Sequence, residues 1–313
     1  MVTESAIPPR SREARLTGVM LLVLGVSVGG AWWFVRARGS LAEVGAEIVQ
    51  QIRRQGLGRY WPRPTVRWFL TRSNGRAVGW RLLARAMREG NEFEGLEVAS
   101  IRGQGQSMAL TWAYWSLGSH AGRGSYRSEV ITVQQVGPLQ KWSTQGETHV
   151  DVENGTIEIS QKLGREQFQS TARTPPNYLP EGALPLARAL VAADKTEGLF
   201  KLTYDHVPPV RGVPQFFSVK LRTVDLASQR GAAAAVRQTG TGVPPATYFL
   251  DADGITVRKT SADTVEDSVT AKEVLAEFPG AAKLITHALQ GQKEPLALMK
   301  KLLSDEAEPP ETP

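Results

Sequence analysis

From Thr65 onward the chain reads with a period of two, and that alternation limits the fold more than any other feature. Val66, Trp68 and Leu70 alternate with Arg67 and Thr71; after Ser73-Asn74-Gly75, Val78, Trp80, Leu82, Ala84 and Ala86 alternate with Arg81 and Arg85. Side chains two apart share one face of a strand, and Asn-Gly between two such runs is a strong hairpin signal. Further strands are expected at Phe93 to Ile101, Met108 to Trp115, Tyr126 to Gln134, Leu139 to Val152, Ile157 to Leu163 and Arg165 to Arg173. Glu153-Asn154-Gly155 repeats the turn chemistry. Sequential strands with short links imply an antiparallel meander.

The meander then breaks at Pro175, Pro176 and Pro180. Gly182 to Ala193 reads as a helix with Pro185 in its first turn, carrying Leu184, Leu186, Ala187, Leu190 and Val191. A second strand set follows at Leu199 to Tyr204, Phe216 to Thr223, Ala232 to Gln238, Thr247 to Leu250 and Ile255 to Thr260. The expected fold is α+β, mainly antiparallel β, with one continuous sheet spanning residues 61–280 and wrapped on the helix near residue 187. Helical texture closes the chain at Lys272 to Phe278, Ala281 to Gln290 and Pro295 to Leu303, so residues 281–303 form C-terminal helices. Residues 304–313 are acidic, Pro-rich and expected to be disordered.

Ahead of the β region, Leu16 to Val35 holds no charge, no proline and no amide side chain. As a helix its twenty residues span roughly 30 Å, a bilayer's hydrocarbon thickness. It is too long for a signal peptide's apolar stretch and ends in Trp32, Trp33 and Phe34, so an uncleaved transmembrane anchor over 16–35 is expected. Arg15, Trp32, Trp33 and Arg36 would lie at the membrane interfaces. Arg10, Arg12 and Arg15 put residues 1–15 in the cytosol and the main domain outside. Gly25 and Gly29 form a G-x-x-x-G pair, ordinary in such helices yet open to helix–helix contact. Residues 36–60 then hold an S-x-x-E capping box, Ser40 with Glu43, and a helical run through Leu41, Val44, Ile48, Val49 and Ile52. That juxtamembrane helix packs on the domain or lies on the bilayer with Arg53 and Arg54.

The net charge is +6; residues 1–35 supply +1 and residues 304–313 supply −4, leaving +9 between. The basic residues are scattered, with no Lys/Arg block and no nucleic-acid-binding motif, so no nucleic-acid partner is expected. The chain has no cysteine, which excludes disulfides, thiolate metal sites and an acylated lipoprotein N-terminus.

Three stretches resemble bacterial cell-envelope domains of unknown function that are similar in architecture to the lipoprotein-sorting half-barrel carriers of the periplasm. They are Asn74 to Trp80, Leu184 to Leu190 and Tyr248 to Gly254, and the order of elements is alike over residues 64–280. The resemblance implies a half-barrel with a helix over its concave face, used by relatives to hold an acyl chain or a protein segment. It also implies a periplasmic or envelope location. The missing lipidation cysteine and the tether set this chain apart from a diffusing carrier.

No catalytic, cofactor or metal site is expected. His120, His149, His206 and His287 stand far apart, and no G-x-S-x-G, H-E-x-x-H, Walker or dinucleotide motif occurs. Asp251-Ala252-Asp253-Gly254 opens like a calcium loop, but Ile255 and Ala262 stand where ligands are needed, so it reads as a turn. The loop Gly118 to Ser125 reads as a flexible hairpin connection or a contact for a headgroup. The candidate apolar ligand face is Trp68, Trp80, Leu110, Trp112 and Tyr114, either core beneath the helix or an open trough for a lipid or hydrophobic peptide. The expected role is a non-catalytic, single-pass envelope protein binding a lipid-like ligand or a partner protein at the bilayer. A structural subunit bound to another membrane protein is the alternative. An unrecognised hydrolase is a third, for which Asp194, His206 and Glu129 cannot be given roles from spacing.

Overall fold

The computed structural model describes residues 40–289, apart from 88–91, 103–107, 135–139, 205–206, 227–230 and 242. The expected anchor at 16–35 with its interfacial Arg15, Trp32, Trp33 and Arg36, the Gly25/Gly29 pair, the helix at 295–303 and the acidic tail lie outside the described residues. Among those residues, no helix is long and apolar enough to cross a membrane.

A helix over residues 40–55 (α1) opens the described chain. The first meander comprises β1 (Thr65–Ser73), β2 (Arg76–Met87), β3 (Phe93–Arg102), β4 (Met108–Leu117) and β5 (Arg123–Gln134). It continues through β6 (Gln140–Glu153), β7 (Thr156–Leu163) and β8 (Glu166–Arg173). After α2 (Leu184–Ala193) come β9 (Glu197–Leu202), β10 (Phe217–Val224), β11 (Ala234–Gly240), β12 (Val243–Leu250), β13 (Thr256–Ser261) and β14 (Val265–Val269). The helices α3 (Ala271–Glu277) and α4 (Ala281–Leu289) end it.

All fourteen strands form one antiparallel sheet, in the order β8 back to β1, then β14 back to β9. The join is the β1–β14 ladder, with Trp68 opposite Val269 and Arg72 opposite Val265. Sequence periodicity misses β14, because Glu266, Asp267 and Ser268 leave only two apolar residues in its five. The hairpins form where expected: Asn74 and Gly75 have φ of 49° and 78°, and Asn154 and Gly155 have 48° and 77°. Positive φ at both central residues is the type I′ geometry that suits the strands' right-handed twist.

The sheet's free ends meet without a regular ladder. Residues 177–179 run beside β9: Leu179 N donates to Lys201 O and Lys201 N donates to Asn177 O, both at 2.9 Å. From β7, Gln161 Nε2 donates to Tyr204 O at 3.2 Å and Val207 O at 3.1 Å, just beyond β9. The sheet therefore closes on itself as a barrel-like shell.

One sheet face holds α1 and α2. Ile48, Val49 and Ile52 of α1 and Leu186, Ala187 and Val191 of α2 share a buried cluster with Phe200, Val219 and Val236. The helix of residues 40–55 thus packs on the domain, one of the two placements expected for it. A Cβ at Gly45 would collide with the Leu199 carbonyl, so only glycine lets α1 lie this close to β9. The opposite face of β1 to β3 is covered by α3 and α4, with Trp68, Trp80 and Leu82 buried against Val274, Phe278 and Ile285.

Candidate functional site

A cavity of about 910 Å³ lies between α2 and the inner faces of β1 to β5 and β11 to β13. Its size falls within the range of small-molecule sites. Alternation decides its walls: Arg67 and Phe69 of β1, and Arg81, Leu83 and Arg85 of β2, point inward, whereas Trp68, Trp80 and Leu82 point outward. Ala113 and Trp115 of β4 and Tyr126 of β5 continue the inner wall, and Arg188 and Ala189 of α2 form its floor.

The candidate face named from the sequence is the other side of the same strands. Trp68 and Trp80 are 6% and 2% exposed, sealed by α3 and α4, with their rings 6.2 Å apart. They are not available to a ligand. Leu110 and Tyr114 are half-buried, and Tyr114 bonds to Glu94 at 3.1 Å. The Trp112 side chain lies outside the described residues.

Sequence reasoning named none of the inward charges among its candidates. Arg81 joins Glu266 of β14 in an ion pair and lies 3.7 Å from Glu97; Lys259 binds Glu266 at 2.9 Å. Burial disfavours the Arg81 cation, yet the two carboxylates outweigh it and raise its pKa. Arg67 pairs with Asp251 at 3.3 Å. Arg85 stacks on Trp61 at 4.3 Å, and burial lowers its pKa to about 10. Arg188 stacks on Tyr248 at 3.8 Å, and burial lowers its pKa too. The signal that marks the strand residues in the sequence is a short one: Arg67 in β1, and Arg81 and Arg85 four apart on one face of β2.

The other candidates are structural. Gly118 to Ser125 closes the end of α1, where Leu57 N donates to Ser119 O at 2.7 Å and His120 Nδ1 lies 2.6 Å from Arg53 O. Asp251 Oδ1 accepts from Asp253 N and Ile255 N, so its loop is a turn. Among the described residues no group of three His, Asp or Glu is placed to hold a metal. Asp194 follows α2 at the surface, Glu129 is buried in β5, and His206 and the His287 side chain lie outside the described residues. A second groove of about 500 Å³ over β4 to β8 is polar; there Ser116 and Ser125 bond each other at 2.7 Å, and His149 pairs with Glu147 at 3.4 Å.

No family profile and no curated protein sequence matches the chain. Among solved structures, the fold is similar to a beta-barrel-like protein of domain of unknown function DUF1849 from Brucella abortus. The TM-score is 0.47 at 8% identity, covering 66% of this chain and 93% of that one.

Proposed function

We propose that this is a non-catalytic binding domain that holds a lipid-like guest inside its barrel-like shell, tethered beside an envelope membrane by residues 16–35. The observation that carries the reading is the cavity of about 910 Å³, walled by Phe69, Leu83, Trp115 and the alanines of α2. Such a wall binds an elongated apolar molecule by removing its surface from water. The resemblance to lipoprotein-sorting half-barrels points the same way. A permanent tether fits a protein that presents or senses its guest at the bilayer better than one that ferries it.

Native mass spectrometry of the full chain, extracted in mild detergent, tests this reading. The expected result is a retained amphiphile. A protein that carries nothing and gains no thermal stability from added lipid would rule the reading out.

A further inference from the structure

Strand β8 ends the sheet and pairs with β7 alone. The bonds that close the shell bypass it: they come from Gln161 of β7, and from residues 177–179, which lie along β9. Thr174 N donates to Gly155 O at 2.8 Å, so by the alternation of an antiparallel ladder the even-numbered residues of β8 turn their N–H and C=O groups toward β7. Gln167, Gln169, Thr171 and Arg173 turn theirs the other way, and all four residues are exposed. Among the described residues no backbone group pairs with theirs. Such an edge is a template for one more strand, and between Glu166 and Arg173 it holds no charge, no proline and no bulge to deter one.

The count of edges selects the occupant. The outer side of β9 is taken by residues 177–179, with Leu179 N on Lys201 O and Lys201 N on Asn177 O, so β8 is left as the one open edge among the described strands. One edge per chain joins two copies about a twofold axis and stops there, where two would build a filament. The residues of β8 also suit their own reversed copy. Antiparallel pairing centred on Ser170 sets Gln167 opposite Arg173 of the second copy and Gln169 opposite its Thr171. On the inner side the half-buried Phe168 and Ala172 then face each other, and no like charges meet. Sliding by two residues in one direction would set Arg165 against Arg173, and in the other would set Gln167 against Pro175, which has no N–H. We propose that two copies of this chain join through β8, antiparallel over residues 167–173, so that one sheet runs through both. The pairing does not depend on what the cavity holds.

The chain has no cysteine, so introduced ones are its only thiols. Full-length Gln169→Cys and Thr171→Cys chains carrying different tags, co-expressed and oxidised in intact cells, test the pairing. Opposed residues of a hydrogen-bonded antiparallel pair lie about 5.5 Å apart, within disulfide reach, whereas the same residue of the two copies lies two positions along, beyond about 7 Å. Expected is a strong disulfide dimer joining the two tags and little from either variant alone. Equal yields from mixed and single expression overturn the register. A monomer mass for the unaltered chain in native mass spectrometry, with no crosslink in cells, overturns the pairing. A crosslink to a chain of different mass would give the edge to another protein and overturn the second copy as its occupant. Thr171→Pro removes an outward N–H and no bond to β7, so the thermal midpoint of the monomer should be kept while the dimer's dissociation constant rises about tenfold. An unchanged dissociation constant in the folded variant also overturns the pairing.

Discussion

At the scale of single residues, the inner wall is built from side chains whose positions leave little slack. Trp115 lies between two glycines: a Cβ on Gly95 would overlap its indole ring, and one on Gly182 would come within 3.0 Å of it. Gly95→Ala is therefore expected to destabilise the domain by about 1–3 kcal/mol, the usual cost of overpacking, seen as a lowered thermal midpoint. An unchanged midpoint would show that the indole moves aside freely. Glu266 is the second such residue, 12% exposed between Arg81 and Lys259. Burial alone would raise its pKa, but the two cations and their hydrogen bonds outweigh burial and hold it below the ordinary 4.5. Because the folded value is the lower one, this carboxylate's contribution is complete above about pH 4.5 and is lost as the pH falls through the lowered value. Glu266→Gln leaves Lys259 without its carboxylate and Arg81 with Glu97 alone, and is expected to cost roughly 3 kcal/mol at pH 7. Urea midpoints at pH 7 and in acid should show the gap to the unaltered protein narrowing; a gap that stays constant would show that the ion pair is not its source.

At the scale of elements, the C-terminal helices decide the fate of the most apolar strand face. Val66, Trp68 and Leu70 of β1 and Trp80 and Leu82 of β2 would form a large exposed apolar patch without α3 and α4. The Thr270 hydroxyl and the Glu273 carboxylate cap α3 reciprocally, which fixes where the chain turns from β14 onto that patch. A chain ending at Thr270 should bind an apolar fluorescent dye strongly and unfold without a sharp transition. Dye binding no greater than that of the full chain would mean that the patch is covered by something other than these helices. The strand β14 has a different task. It pairs with β1 on one side and β13 on the other, so it joins the two meanders into one sheet.

At the scale of the whole molecule, among the described residues one sheet carries two helices on its inner face and two over part of its outer face. The strands of the two meanders, their Asn-Gly turns and the helix at Leu184 follow from local sequence, since alternation and turn chemistry act between near neighbours, whereas the joining strand β14 does not. What local sequence leaves open is the side of the sheet that turns inward. In β1 and β2 both faces are plausible: Val66, Trp68, Leu70 and Trp80 make one apolar row, and Phe69 and Leu83 sit among arginines on the other. A period of two is symmetric about the strand, so it defines the two faces and ranks neither. Hydrophobicity favours the tryptophan row as the ligand face, and by that measure the arginine row is the solvated one. The ranking was made by partners distant in sequence. The helices α3 and α4 bury the tryptophans, while Glu266 from β14 and the aromatic rings of Trp61 and Tyr248 accommodate the arginines within the shell. The sequence by itself determined a long antiparallel β chain with its turns and its one mid-chain helix, because those depend on neighbours two to four residues apart. Only the tertiary structure decided that the arginines line the cavity, because pairing a buried charge and covering an apolar face are both settled by residues brought together from opposite ends of the chain.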